Sequence, residues 1–382
     1  MENERVSGGA PLGSEHLFYR IGVQANSGEP IDGFSGNRHD LAREKMIRSP
    51  AKRCGIGTKD DRLHYLILWK ETVERKTRTF SSTPTPERLH AERVKDSTRD
   101  WQAVVREAAA RAVGEDMGPM DLTSRVAVSA GARAIATLVC KESCVLAGMD
   151  TAEAVFREVD GALRWSAKAK DGERIGIGQV VAEIEGSARG ILTGERCALN
   201  FLQRLSGVAT QTAAYVEAVH GTKAKILDTR KTTPGLRALE RQAVRAGGGS
   251  NHRTGLYDGI LIKENHQALM APGGLKEAIR RAREEFPDCP LVVEADSVEL
   301  AEKLFHEPLD RILLDNLSSE QVAQVVKKRK ALRVEMELEA SGGVTPRRAM
   351  ELAHAGVEWI SVGALTHSAR AIDFSLDIRP LG

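Results

Sequence analysis

From residue 100 onward, apolar positions recur with two different periods. Trp101, Val104, Val105, Ala108 and Ala112 share one side of a helical repeat, which predicts a helix over 101–113. Asp121, just ahead of Leu122, Thr123 and Ser124, stands where a residue caps a helix or turns the chain. Short apolar runs at 134–140, 144–147, 164–169 and 180–185, with a helical stretch at 151–159, predict a first layer of mixed helix and strand. A long helix over 193–220 follows, with Gly194, Glu195 and Arg196 in its first turn. Beyond it, apolar runs at 226–228, 259–262, 291–294, 311–314, 333–339 and 359–362 alternate with helical stretches at 274–285, 297–304, 319–332 and 345–355. Strands separated by helices pair in parallel through right-handed crossovers. Such a series of strands fits an incomplete barrel of the β/α type, and it also fits an open doubly wound sheet.

Up to about residue 95 the pattern is different. Gly, Ser, Thr, Pro and charged residues dominate, and phrases such as Ser81-Ser82-Thr83-Pro84-Thr85-Pro86 are linker chemistry. Only 63–69 reads as a strand, so residues 1–97 are expected to form a disordered extension. Upstream sequence read from a mistaken start codon and a functional arm are the alternatives. That same run, interrupted by His64, falls far short of the roughly 20 apolar residues of a transmembrane helix, so no membrane span is expected. No secretory signal is visible at the start. The five cysteines, at 54, 140, 144, 197 and 289, lack paired spacing, which argues against a zinc cluster or a disulfide framework and for a reducing, cytoplasmic setting. The first 95 residues carry 17 Lys/Arg against 13 Asp/Glu, while the remainder is net −2. A nearly neutral globular part without basic–aromatic interleaving excludes a nucleic-acid binder.

The candidate chemistry lies where the later strands end. Ile226-Leu227 leads into Asp228, Thr229, Arg230 and Lys231; then come Asn251, His252 and Arg253; Ile262 leads into Lys263. Val293 leads into Glu294, Leu314 into Asp315, Ala340 into Ser341, Gly342 and Gly343, and Ile360 into Ser361, Val362 and Gly363. In an α/β barrel these positions all project from the carboxyl-terminal face, where active sites form. Arg230, Lys231, Arg253 and Lys263 are fixed cations, His252 adds another when protonated, and only Glu294 and Asp315 clearly oppose them. Such a cluster repels itself unless an anionic ligand fills it. Arginine forks suit carboxylates and phosphates, lysine supplies a point charge, and glycines let backbone amides approach a phosphate. Two separated acids suit Mg²⁺ or ribose hydroxyls. Taken singly, each feature has a plainer explanation: a solvated Arg-Lys pair, a Gly-Gly turn, a salt bridge at Glu294. Their coincidence at successive strand ends points to one ligand with carboxylates, a terminal phosphate and a magnesium pyrophosphate.

The run from Asp228 to Arg237, with Gly247-Gly248-Gly249-Ser250-Asn251-His252-Arg253-Thr254-Gly255-Leu256 and Ile262-Lys263-Glu264-Asn265-His266, resembles the quinolinate phosphoribosyltransferase family. The likeness extends upstream through Gly194-Glu195-Arg196 to Asp121-Leu122-Thr123, and downstream through Asp315-Asn316, Ser341-Gly342-Gly343 and the segment from Ser361 to His367. It covers about residue 101 to the C-terminus.

That resemblance implies an α/β sandwich domain over 98–208, on which a tail of 366–382 packs, and an incomplete, seven-strand α/β barrel over 209–365. It implies transfer of a ribosyl 5-phosphate from phosphoribosyl pyrophosphate to quinolinate with loss of CO2, giving nicotinate mononucleotide for NAD biosynthesis. Arg230, His252 and Arg253 would clamp the quinolinate carboxylates, joined by Arg196 from the other subunit of a homodimer or larger assembly. Thr229 would also bind substrate, and Lys231 and Lys263 would face the pyrophosphate and a carboxylate. Glu294 and Asp315 would hold ribose hydroxyls and Mg²⁺, and with Lys231 would be catalytic; Ser341, Gly342, Gly343, Ser361 and Gly363 would cradle the 5-phosphate. No metal-ligand triad or covalent nucleophile is implied. Two positions depart from the family pattern: Val292 stands where a second acid is common, and Met120 where Gly is usual. The competing readings are a paralogue of this fold associated with molybdenum transport and an inactive barrel that binds a phosphorylated metabolite.

Overall fold

The computed structural model describes residues 100–381, and the expectations for the extension, including the strand at 63–69, lie outside them. In chain order the elements are α1 (Trp101–Met117), α2 (Leu122–Ala127), β1 (Arg133–Cys140), β2 (Cys144–Val145), α3 (Met149–Val159), β3 (Arg164–Ala167), β4 (Arg174–Ile175), β5 (Val180–Ser187) and α4 (Ala188–Ala218). There follow β6 (Lys225–Leu227), α5 (Arg237–Ala246), β7 (Ile260–Ile262), α6 (Glu264–Ala268), α7 (Gly274–Glu285), β8 (Leu291–Ala295), α8 (Val298–Leu304), β9 (Arg311–Asp315) and α9 (Ser319–Leu332). The chain ends with β10 (Glu337–Ser341), α10 (Pro346–Ala355), β11 (Trp359–Ser361), α11 (Ala364–His367) and β12 (Phe374–Leu381).

Asp121 does cap α2: its carboxylate accepts the Ser124 N–H at 2.9 Å. In β1, Ala134, Ala136, Leu138 and Cys140 are buried and alternate with more exposed residues, the signature of a sheet with one wet face. That sheet has the order β12-β1-β5-β3. Its edge strand β12 comes from the far end of the chain and pairs antiparallel with β1 from Arg133↔Leu381 to Cys140↔Phe374.

Helix α4 ties this layer to the next. Ser187 caps it, accepting the Gly190 N–H at 3.3 Å, so it begins ahead of residue 193, and burial of Ala188, Gly190 and Ile191 holds that first turn. The helix runs unbroken through residues 208–209, where the family resemblance implies a domain boundary, and its buried face continues through Leu205, Val208, Ala209 and Thr212. Ser206 Oγ accepts the Ala147 N–H on the sandwich side, whereas Tyr215 donates its hydroxyl to Val344 O on the barrel side.

The second layer is a parallel sheet in the order β6-β11-β10-β9-β8-β7. Its end strands β6 and β7 do not pair. Ser250 fills the gap beside β6 with a single parallel bridge to Leu227, so the seventh strand of the barrel is reduced to one bridge. Here the chain turns at once through Asn251 into His252 and Arg253, whose backbones are claimed by side chains instead of a neighbouring strand. Strand β10 begins at Glu337 because Arg333 closes α9 in the left-handed region, with φ 55°.

Alternation then assigns the two faces of the barrel. Ile226, Ile262, Val293, Ile312, Leu314, Leu338, Ala340 and Ile360 pack into the main core shared with the helices. The intervening set, which includes Leu261, Leu313, Glu339 and Ser361, lines the interior and its mouth.

Candidate active site

At the end of β6 the chain leaves a buried anchor before exposing its cations. Asp228 is fully buried and accepts the His252 N–H at 2.7 Å and Asn251 Nδ2 at 2.6 Å. Burial pushes its carboxyl up from the ordinary carboxylate range, against the pull of Arg241 and these donors. Arg241, on α5, donates Nη1 to His252 O at 2.8 Å and stands 3.4 Å from Asp228. The strand end, the helix and the bridge segment are thereby fixed together. A second knot steadies the following loop: Glu240, also fully buried, accepts Arg204 Nη2 at 2.8 Å and the Thr233 N–H at 3.0 Å. Thr366 Oγ1 donates to Lys231 O at 2.7 Å.

From this scaffold the cations project into one cavity of about 650 Å³, lined by Thr229, Arg230, Lys231, His252, Arg253, Lys263 and Asp315 among others. Burial, followed by repulsion from Arg230, lowers the affinity of the Arg253 guanidinium for its proton. Arg253 donates Nη1 to Gly259 O at 2.8 Å, which aims the rest of its fork away from that edge. His252 lines the wall with its ring nitrogens turned toward protein: Nδ1 accepts the Arg253 N–H at 2.7 Å, and Nε2 lies 3.4 Å from Glu339 Oε1.

Lys263 pairs with Glu294 at 2.5 Å, and the second oxygen of Glu294 accepts the Glu264 N–H at 3.1 Å. Glu294 is almost completely buried and stands behind Lys263 instead of on the cavity wall. Asp315 accepts Asn316 Nδ2 at 2.7 Å on one oxygen and the Ser341 hydroxyl on the other. Among the described residues no group of three or more His, Cys, Asp and Glu side chains converges as a resident metal centre. Both oxygens of the Glu294 and Asp315 carboxylates already meet a protein donor.

The opposite wall is built from Ser341, Gly342, Gly343, Ser361 and Gly363. Gly342 has φ +96°, and a Cβ there would strike the Asn316 side chain. At Gly363 a Cβ would come within 2.9 Å of Lys231 Cδ, so the missing side chain gives the lysine its path across the wall.

The expected residues therefore meet, with two exceptions. Glu294 reaches the site through Lys263, and Arg196 is exposed on α4 outside the cavity lining. Asn316, Glu339 and His367 line the cavity without having been singled out. Glu339 carried a readable signal, since it sits two residues before Ser341 and so shares its strand face. Although burial opposes ionisation, His252 and Arg311 hold the Glu339 carboxyl below the ordinary range.

The model of the quinolinate phosphoribosyl transferase C-terminal domain matches residues 208–377, and that of the N-terminal domain matches 121–206. The chain is 44% identical over 276 residues to the carboxylating nicotinate-nucleotide pyrophosphorylase of Mycobacterium leprae, covering 72% of this chain and 96% of that protein. It is 37% identical over 286 residues to the decarboxylating quinolinate phosphoribosyltransferase 1b of Nicotiana tabacum, covering 70% and 80%. Among solved structures, NadC from Streptococcus pyogenes superposes with a TM-score of 0.68 at 39% identity, over 72% of this chain and 98% of that one.

Proposed function

Because the chain belongs to the quinolinate phosphoribosyltransferase family, we propose that its barrel mouth binds quinolinate beside phosphoribosyl pyrophosphate and joins them with loss of CO2. The activity is that of a carboxylating nicotinate-nucleotide pyrophosphorylase, a phosphoribosyltransferase of NAD biosynthesis. What carries the assignment of residues is the convergence of Arg230, Lys231, Arg253 and Lys263 on a single cavity with glycines on its far wall.

In this reading Arg230 and Arg253 clamp the two ring carboxylates, with His252 beneath them. Gly342, Gly343 and Gly363, with Ser341 and Ser361, receive the 5-phosphate. Breaking the bond to pyrophosphate builds positive charge on ribose and negative charge on the departing oxygens. Lys231 and Lys263 stabilise that negative charge, as preorganised cations do in other phosphate chemistry. Asp315 would favour an oxocarbenium-like ribose, and Glu294 would act on it through Lys263. Asp315, on the cavity wall, would also hold Mg²⁺ entering with the pyrophosphate, whose contribution is to neutralise the leaving group, and Glu294 would join it only by giving up Lys263. Once the ring nitrogen is alkylated, the pyridinium accepts the electron pair left by CO2, and a proton then takes the place of the lost carboxylate.

Arg196 is exposed and away from its own cavity, which supports a homodimer in which it serves the neighbour's site. The four cysteines among the described residues are all buried and unbridged, which favours a reducing compartment such as the cytoplasm. No helix among the described residues is long and apolar enough to cross a membrane. Pyrophosphate release from phosphoribosyl pyrophosphate tests the function. It should require quinolinate and yield equimolar CO2; release that persists without quinolinate, or that nicotinate supports equally, would defeat the proposal.

A further inference from the structure

Below the cationic rim lies a buried anion for which the reaction, as assigned above, has no use. Glu339 faces into the barrel from β10, opposite Leu313 of β9 and Trp359 of β11, and has no solvent exposure. Its Oε2 accepts Arg311 Nη1 at 2.9 Å, while Oε1 has no hydrogen-bond partner and lies 3.4 Å from His252 Nε2. The other ring nitrogen, Nδ1, accepts the Arg253 N–H at 2.7 Å. A protonated Nδ1 would meet that N–H donor to donor, so the ring proton belongs on Nε2, facing Glu339. A second cavity of about 270 Å³ adjoins these groups and is lined by His252, Arg253, Arg311 and Trp359. An imidazole beside open volume is held in one orientation only while both nitrogens are engaged.

We propose that Glu339 is a positioning residue for quinolinate recognition: it keeps the His252 proton on Nε2, so that Nδ1 fixes the Arg253 main chain and aims the arginine at the substrate. The inference rests on the reading of Arg253 as a carboxylate clamp. A carboxylate is needed at this position because both of its neighbours, Arg311 Nη1 and His252 Nε2, are donors. Glutamine, of nearly the same shape, would satisfy Arg311 with its oxygen and turn its NH2 against the imidazole N–H. Gly259 O holds one edge of the Arg253 guanidinium and Arg241 meets its main-chain carbonyl, while His252 Nδ1 holds its main-chain N–H.

The test is Glu339→Gln in the full-length enzyme. The KM for quinolinate should rise about tenfold, the equivalent of one mispaired buried donor, while the KM for phosphoribosyl pyrophosphate stays within about twofold. In protein labelled with 15N-histidine, the His252 signal, identified by its loss in His252→Asn, should show a bare Nδ1 and a protonated Nε2. A proton on Nδ1 in the unsubstituted enzyme overturns the proposal even if the glutamine variant does not fold, and so does an unchanged quinolinate KM in a folded one. Asparagine at 252 keeps an acceptor for the Arg253 N–H but has no arm toward Glu339. Adding Glu339→Gln to it should therefore change quinolinate KM by less than about twofold, and a full tenfold effect there would mean that Glu339 does not act through His252. Arg253→Lys separates the two readings: if it leaves quinolinate KM unaltered, the clamp itself is wrong, whereas a raised KM with an unaffected Glu339→Gln variant removes only the positioning role.

Discussion

The antiparallel sheet of the sandwich and the parallel sheet of the barrel obey the same two-residue alternation, but they turn their charges in opposite directions. In the first, Ala134, Ala136 and Leu138 face the interior, and Arg164–Glu185 and Lys168–Glu183 pair on the wet face at 2.7 and 2.5 Å. In the second, the apolar set faces outward to the helices, and the Arg311–Glu339 pair and the Glu294 carboxylate behind Lys263 are enclosed by the barrel. Ion pairs of similar length thus sit in very different dielectric surroundings. Charges on the open sheet are screened by water, whereas those within the barrel are coupled to one another and to whatever enters the mouth. Curling a sheet on itself is what converts ordinary alternation into a site.

The sharpest way to break that contrast is at Lys231, whose stem crosses Gly363 into the cavity. Lys231→Ala should lower kcat/KM by about a thousandfold, ~4 kcal/mol of transition-state stabilisation, with an unchanged thermal midpoint. Lys168→Ala, removing an equally charged residue from the sandwich sheet, should leave turnover as it was. Steady-state kinetics on both variants measure the comparison directly, and a loss within tenfold for Lys231→Ala would remove this lysine from the chemistry.

One step down in size is a pair inside the barrel. Arg311 spans Glu337 at 3.0 Å and Glu339 at 2.9 Å, and its guanidinium lies 4.5 Å from the Trp359 ring centroid. Arg311→Met keeps the packing volume but strands a buried carboxylate. Denaturant unfolding should show a loss of about 3 kcal/mol, because an uncompensated buried charge is costly. A loss below about 1 kcal/mol would mean that the interior is wetter than its burial implies.

Glu358, just ahead of β11, is an intermediate case. Burial raises its carboxyl, but Arg329, Lys223 and the Leu338 N–H prevail and bring its pKa down to about 2. A depressed carboxyl stabilises the folded state above its unfolded value of 4.5, and that contribution fades as pH falls toward about 2. Glu358→Gln should accordingly cost about 2 kcal/mol near neutral pH and almost nothing near pH 2. Unfolding curves at the two extremes check the sign, and a constant gap would show that the loss is one of packing and not of charge.

Legibility in the sequence follows the same division. The apolar runs that became β6, β8, β9 and β11 were readable because strands covered by helices on one side bury bulky aliphatic residues regardless of what they face on the other. Their polar ends stood out for the reason that chemistry collects at one rim. By contrast, β12 was not readable as a strand, although the resemblance put the tail on the sandwich: Phe374, Leu376 and Ile378 alternate only briefly on an edge strand, and its partner β1 lies more than two hundred residues away. The anchors beneath the site, Asp228, Glu240 and Arg241, were equally opaque. Each is a common charged residue on a loop or helix, and only folding reveals that it is buried against another. Arg204 gave no hint on sequence grounds, although it holds Glu240 at the foot of the 231–234 loop.

The smallest expected effect completes the contrast from the sandwich side. Glu185 accepts Arg164 at 2.7 Å and lies 3.5 Å from Arg133, so by geometry alone it rivals Glu339 as a bridging carboxylate. Its arginine partners, however, are 72% and 56% exposed, against 18% for Arg311. Water already solvates those guanidinium groups, and the long side chains lose rotamer freedom in meeting Glu185, so attraction and entropy nearly cancel. Glu185→Gln should therefore shift unfolding by less than about 0.5 kcal/mol, and raising the salt should not widen the gap. A cost approaching that of Arg311→Met would show that the arginine pairs of Glu185 and Glu339 are governed by distance alone, and the orientation of the two sheets would then lose its meaning.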